Sequence, residues 1–404
     1  MNLIPQDVLK KYLLPIRDLA TSTFVFKKKY TRECQRSTPR NFINQFLLLF
    51  LKVPFSLLQE LKLSKMLEID KDKKVLIGCL AGSFLFYHTA RQIYSYMSVK
   101  PREWVPVGVV KSLHIFPIKS CKSVDVFAFK CTKLGPVMGD LEDRAFMLVE
   151  ESTGKFITAR QKPKLVHVEN YMTDGMLEVT VPGQPKLSVD LRKVLQNKRT
   201  IRATLFKNLK QDGYDCGDEV AKLLSDYIEE PNYRLIFYKE GLYTERTVIP
   251  DDQWWNNPVP KRNDDSGFTD LAPFHIATDA SLKVLNEKLD NKITMRYFRP
   301  SIYIEGCAAW DEDKWAEIRI GDAHLECFAP CTRCVLTTVD PVKGEMSKEM
   351  QPLKKLREFR LVPDGKMRKV HMESPVFGVY AGLVNEGYIH TGQTVYVRYK
   401  PTAF

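Results

Sequence analysis

The chain lacks several features that would quickly assign it to a class. No second C-x-x-C pair accompanies Cys331-Thr332-Arg333-Cys334, no G-x-G-x-x-G fingerprint occurs, and there is no internal repeat or low-complexity stretch. The missing pair counts against zinc, which takes four ligands and usually a second such pair. Cys327, His324 and His371 are the plausible helpers. The missing fingerprint argues against a built-in dinucleotide site. Nine cysteines, an odd number unevenly spread over 404 residues, do not form a secreted disulfide framework. A reducing compartment is expected. No signal-peptide cleavage pattern is evident, because Asp7 and Lys10-Lys11 break the N-terminal apolar run.

Acidic charge is scarce in one place only. The formal net charge is +12, and residues 1–74, with 15 Lys/Arg against 7 Asp/Glu, supply +8 of it. The excess therefore belongs to an N-terminal arm (1–74) and not to a folded nucleic-acid-binding face. Charge is absent between Lys74 and Arg91, where VLIGCLAGSFLFYHTA fills residues 75–90. With flanking lysines that snorkel, and with Tyr87, Tyr94, Tyr96 and Trp104 nearby, this reads as a single membrane anchor and linker over 75–100. A buried core helix is the other reading. A second apolar stretch, Phe42–Leu58, is interrupted by Lys52 and Pro54 and reads as an amphipathic surface helix or a poor span.

Beyond residue 100 the chain is expected to be β-dominated α+β, an antiparallel barrel or sandwich with a few helices. Strands are predicted at 107–118, 145–150, 165–170, 177–181, 301–305, 316–320 and 392–397, and helices at 218–228 and 279–289. The residues after Cys334, Val-Leu-Thr-Thr-Val, have strand composition. A thioredoxin-like dithiol should instead open a helix.

From spacing alone, Cys331 and Cys334 are two unrelated buried thiols about as readily as a functional pair. Their company favours function: Arg333 lies between them and Thr337-Thr338 follows. Lys119-Ser120 ends the first strand; Asp143-Arg144, Thr158-Ala159-Arg160-Gln161 and Phe298-Arg299-Pro300 border others. Each is commonplace alone, as a solvated turn or a surface ion pair. Together, cations at strand ends near a candidate thiolate suit a cofactor carrying both phosphate and sulfur.

The stretches FPIKSCKS (116–123), LEDRAFMLV (141–149), FTDLAPFHIATDASLKVLN (268–286), YFRPSIYIEGC (297–307) and CTRCVLTTVDPVKGEM (331–346) make the chain resemble the MOSC-domain family, and within it the mitochondrial amidoxime-reducing components. The resemblance implies a MOSC β-barrel domain at 246–400, an associated N-terminal β-barrel-like domain at 107–240 and a membrane-anchor helix before them. It implies a molybdenum cofactor, molybdenum on a pterin dithiolene, with Cys334 as the protein's metal ligand. Lys119, Ser120, Arg144 and Arg299 are implied to hold the phosphate and pterin, with Thr332, Arg333, Asp270 and Tyr380 beside them. The implied activity is reduction of N-hydroxylated compounds with electrons from NADH through cytochrome b5 reductase and cytochrome b5, on the mitochondrial outer membrane facing the cytosol. Ser301 stands where relatives carry Asn, Ala272 where they often carry Ser, and the arm before Lys74 is additional. Two other functions stay open: a MOSC sulfur carrier with a persulfide on the same cysteine, and a non-enzymatic, metal-binding, membrane-tethered domain.

Overall fold

The structure is a computed structural model that describes residues 87–89, 103–248, 259, 262 and 264–404. The expected anchor, the basic arm and the Phe42–Leu58 stretch lie outside the described residues, apart from a helical fragment at 87–89. Among the described residues no helix is long and apolar enough to cross a membrane.

Seven strands close a barrel. Around the ring they run Ile302–Glu305, Phe274–Thr278, Val376–Asn385, Ala323–Thr332, Trp315–Ile320, Thr394–Tyr399 and Val105–Ile115, which pairs back to Ile302–Glu305. An odd ring cannot alternate direction all the way round. The odd junction is the parallel pair Phe274–Thr278 and Ile302–Glu305. Parallel neighbours need a crossover, which here holds the helix Asp279–Asn286. Its start is capped by Thr278, whose hydroxyl accepts from the Ser281 N–H, and its Leu282 and Leu285 are buried.

The barrel strands alternate as the sequence predicts. Ile318 and Ile320 point inward, as do Val395 and Val397, and Trp315 is fully buried. Outside the barrel, Thr200–Thr204, Lys210–Asp215, Tyr233–Phe237, Phe146–Glu150 and Phe156–Ile157 form a five-stranded antiparallel sheet. The helix Asp218–Ile228 buries Val220, Leu224 and Ile228, and the acidic Asp218 and Glu219 suit the positive end of its dipole. Glu169–Thr173, Met176–Thr180 and Leu187–Asp190 make a separate antiparallel meander.

Two expectations need correction. Residues 165–170 are not one strand: Pro163–His167 forms a 3-10 turn and the strand is Glu169–Thr173. Pro163 at the head of the turn has the fixed φ that starts such a turn. Val335–Thr338 is also a 3-10 turn. The Thr337 hydroxyl donates to the Cys334 carbonyl at 2.8 Å and the Thr338 hydroxyl to the Val335 carbonyl at 2.8 Å. These local bonds offer the backbone an alternative to a sheet ladder, which β-branched composition does not reveal.

At the closing seam, Gly108 meets Glu305 so closely that a Cβ would lie 2.0 Å from the Glu305 carbonyl oxygen. Gly108→Ala is therefore expected to lower the unfolding free energy by about 1–3 kcal/mol. Denaturant titration should show a lower midpoint with an unchanged slope; an unchanged midpoint would mean the seam does not close here.

Candidate functional site

The Val105–Ile115 strand leads into Lys119-Ser120, and Ala323–Thr332 ends just before Arg333 and Cys334. Phe274–Thr278 begins just after Asp270, and Ile302–Glu305 just after Arg299. Side chains from these four chain segments come together in one cleft. Lys119, Ser120, Arg144, Asp270, Arg299, Arg333 and Tyr380 line it. Thr332 sits in its strand opposite Val376 and is not among the lining side chains. Cys334, half-buried, borders the cleft through Arg160.

The backbone is strained where it delivers these side chains. Ser120, Arg144 and Arg299 have φ of 71°, 48° and 54°, a conformation that costs a non-glycine residue on the order of 1–3 kcal/mol. Backbone bonds hold them in place. The Lys119 N–H donates to the Phe146 carbonyl at 2.8 Å, and the Arg144 N–H to the Phe116 carbonyl at 2.7 Å. Both the Arg144 and Arg299 guanidiniums pack on the Phe116 ring, at 4.6 and 4.2 Å.

Five cations and one carboxylate, Asp270, line the cleft. Asp270 pairs with Lys119 and, at 3.1 Å, with Arg160. Burial alone would raise its carboxyl, but Lys119 and Arg160 hold it well below the usual carboxylate range. Burial pushes Lys119 down to about 8 despite Asp270. Burial also pushes Arg299 down to about 10, and Arg144 beside it adds to the effect. His275 is kept neutral by burial and by Arg333. Its ring lies against Gly378, where a Cβ would come 2.6 Å from Nε2. Arg333 donates to the Cys331 sulfur at 2.7 Å and to the Phe298 carbonyl at 2.9 Å.

Three of these arginines are incompletely satisfied. Arg160 Nε, Arg299 Nη2 and Arg333 Nε are buried without a hydrogen-bond partner. Each such donor costs about 1–3 kcal/mol until something accepts from it. A multiply charged, oxygen-rich anion would satisfy them, so the donor set fits a phosphate-bearing cofactor.

Arg160, Thr158, Thr269 and His275 also line the cleft, though the sequence did not single them out as site residues. Arg160 had a signal, a further cation at a strand end. Arg246 is buried and donates to the carbonyls of Gly267, Thr269 and Asp270 at 2.9, 2.7 and 3.0 Å. It shapes the loop carrying Asp270 and had no sequence signal. Of the two departures from the family pattern, Ala272 lines the cleft. Ser301 is buried, accepting from the His275 N–H and donating to its carbonyl, both at 3.1 Å. Its hydroxyl ties strands together.

The zinc reading has no support in the packing. Among the described residues no group of three or more His, Cys, Asp or Glu side chains could hold a metal. His324 pairs with Glu317 at 2.8 Å. Cys331 is buried within its strand and is not at a helix start.

Residues 107–231 match the MOSC N-terminal beta barrel domain and residues 263–396 the MOSC domain. Mitochondrial amidoxime reducing component 2 of Rattus norvegicus is 36% identical over 73% of this chain and 85% of its own. Mitochondrial amidoxime-reducing component 1 of Homo sapiens is 35% identical over 72% and 83%. The component 1 of Danio rerio is 32% identical over 81% and 95%.

Lys119 makes the cleft's charge pH-dependent. Asp270 stays ionised throughout, while Lys119 loses its proton as pH rises through about 8. Thermal stabilisation by inorganic phosphate should therefore weaken above about pH 8. Lys119→Met should be weakly stabilised at every pH; an unaltered profile in that variant would assign the titration elsewhere.

Proposed function

The chain belongs to the MOSC-domain family, and from that premise we propose that it is a molybdenum cofactor-dependent reductase of N-hydroxylated compounds, amidoximes and hydroxylamines among them. The observation carrying this reading is the set of buried guanidinium nitrogens without an acceptor, one each on Arg160, Arg299 and Arg333, beside Cys334. The similar proteins named as amidoxime-reducing components support the reaction class.

Lys119, Ser120, Arg144 and Arg299 would hold the cofactor's phosphate and pterin. Thr332, Arg333, Asp270 and Tyr380 would fix the residues around it, and Cys334 would offer the sulfur that molybdenum prefers. When bound, the cofactor supplies the two-electron chemistry that reduces the N–O bond. The protein's share is positioning and electrostatics. Asp270 keeps Lys119 and Arg160 in place, and Arg160 meets both Asp270 and the Cys334 sulfur. Tyr380 keeps its phenolic proton, because burial and the neighbouring Cys331 push its ionisation well up. His275, being neutral, adds no charge to an already cationic mouth.

The lack of a G-x-G-x-x-G segment supports electron delivery from outside, from NADH through cytochrome b5 reductase and cytochrome b5. Residues 75–90 would tether the chain to the mitochondrial outer membrane, facing the cytosol; the relatives' names carry the word mitochondrial. We also divide the folded part at 240–246 into the two domains.

The test uses the full chain from cells that make the cofactor. Molybdenum, pterin and zinc are measured, and benzamidoxime reduction is assayed with cytochrome b5 and its reductase. Equimolar molybdenum is expected, with turnover reduced more than about 100-fold in Cys334→Ser. Molybdenum-free protein with a persulfide on Cys334 would mark a sulfur carrier. Zinc, or neither metal nor persulfide, would mark a binding module.

A further inference from the structure

On the outer face of the first barrel strand lies a second cavity, of about 790 Å³ including its open mouth, which shares only Arg299 with the cationic cleft. Its apolar walls include Phe116, Val166, Met295 and Pro300. Ser112 and His114 also line it. They sit two residues apart on the Val105–Ile115 strand, so the strand's alternation turns both to the same face. The return strand Val124–Val126 places Asp125 directly opposite His114.

The side chains form a continuous relay. The Ser112 hydroxyl lies 2.8 Å from His114 Nε2, and His114 Nδ1 lies 2.8 Å from Asp125 Oδ1. Asp125 is also contacted by Ser123 at 3.2 Å and Arg296 at 3.4 Å. The His114 bond, outweighing burial, holds its carboxyl down to about 2. An ionised carboxylate only accepts, so Nδ1 must carry the ring proton. In the neutral ring Nε2 is then an acceptor for the Ser112 O–H. Nucleophile, base and orienting carboxylate stand in the order and at the distances of a serine hydrolase, with serine and histidine facing the cavity and aspartate behind them.

We propose that this cavity is an esterase-type site with Ser112 as nucleophile, His114 as general base and Asp125 as the residue that positions it, taking carboxylic esters with a short apolar acyl chain. Ser112 Oγ bonds to the acyl carbon as its proton passes to His114 Nε2. The bond from that carbon to the leaving oxygen breaks, and the alcohol departs with the proton from Nε2. Water then attacks the acyl-serine, giving a proton to Nε2 that returns to Ser112 as the acid leaves. The sum is ester plus water to acid plus alcohol, with no redox partner. Thr294, Lys122 and Arg296 line the same cavity; with Lys122 bonded to Glu169 and Arg296 to Asp125, the Thr294 hydroxyl is the donor assigned to the oxyanion. The apolar walls take the acyl chain.

The test treats the full chain, with and without cofactor, with a fluorophosphonate and with p-nitrophenyl butyrate. One phosphonyl adduct on Ser112 by peptide mapping is expected. Ester hydrolysis above buffer should vanish in Ser112→Ala and slow by about 100-fold in His114→Gln. Absence of an adduct, an adduct only elsewhere, or hydrolysis unchanged in Ser112→Ala would overturn the proposal. Labelling of the unsubstituted protein decides the point even if a variant fails to fold.

Discussion

Asp270 lies among five positive side chains, of which Arg144 is also paired with the buried Asp143. Two like charges 4 Å apart repel by about 4 kcal/mol at an effective dielectric near 20, and Lys119, Arg144, Arg160, Arg299 and Arg333 all line one cleft. Asp270 neutralises only part of this, through Lys119 and Arg160. Its position is set by Arg246, which draws the carbonyls of Gly267, Thr269 and Asp270 onto one guanidinium. A buried cation thus serves to place the carboxylate that makes the other cations tolerable. The remaining positive excess is the pre-organised part of an anion site.

The same cleft collects costs of other kinds. Ser120, Arg144 and Arg299 carry positive φ, and Arg160, Arg299 and Arg333 each leave a donor unpaired. A fold selected for stability alone would relieve both, with glycines at the turns and neutral side chains in the mouth. Local rules broken together at one place, while the barrel wall obeys them, are what a functional site looks like. The closed ring supplies the rigidity: fully buried Trp315, Phe274 and Phe377 hold the strands whose ends present the charges.

Much of the fold was legible because its strands alternate and its two predicted helices bury apolar stripes. Val105–Ile115 and Trp315–Ile320 show period two, and Asp218–Ile228 shows an acidic start and an apolar stripe. The turn at Val335–Thr338 was not legible, because threonine's β-propensity and its hydroxyl's affinity for nearby carbonyls point opposite ways, and only the fold decides between them. Lys119, Ser120, Arg144, Asp270, Arg299 and Arg333 could be named through the family resemblance. Nothing in their individual spacing says that residues 119, 144, 270, 299 and 333 meet. Arg246 and His275 were missed because their roles exist only after the barrel closes. The Ser112–His114–Asp125 relay is half legible, as an alternating pair on a strand; its third member depends on the return strand at 124–126.

The two sites are physically adjacent yet chemically separable. Phe116 walls the outer cavity and also carries the Arg144 and Arg299 guanidiniums of the cleft, so changes at Phe116 or Arg299 would disturb both. Ser112 and Cys334 do not share this problem. Ser112 bonds to His114, and Cys334 contacts Arg160. One strand, Val105–Ile115, therefore serves two chemistries by the geometry of its pleat. Its outward residues build the relay, while its end delivers Lys119 and Ser120 to the mouth. A hydrolytic triad needs only neutral imidazole and water, whereas the cleft needs positive charge and a sulfur ligand. Keeping the relay on the outer face leaves the cleft's five cations and its sulfur ligand to the second chemistry.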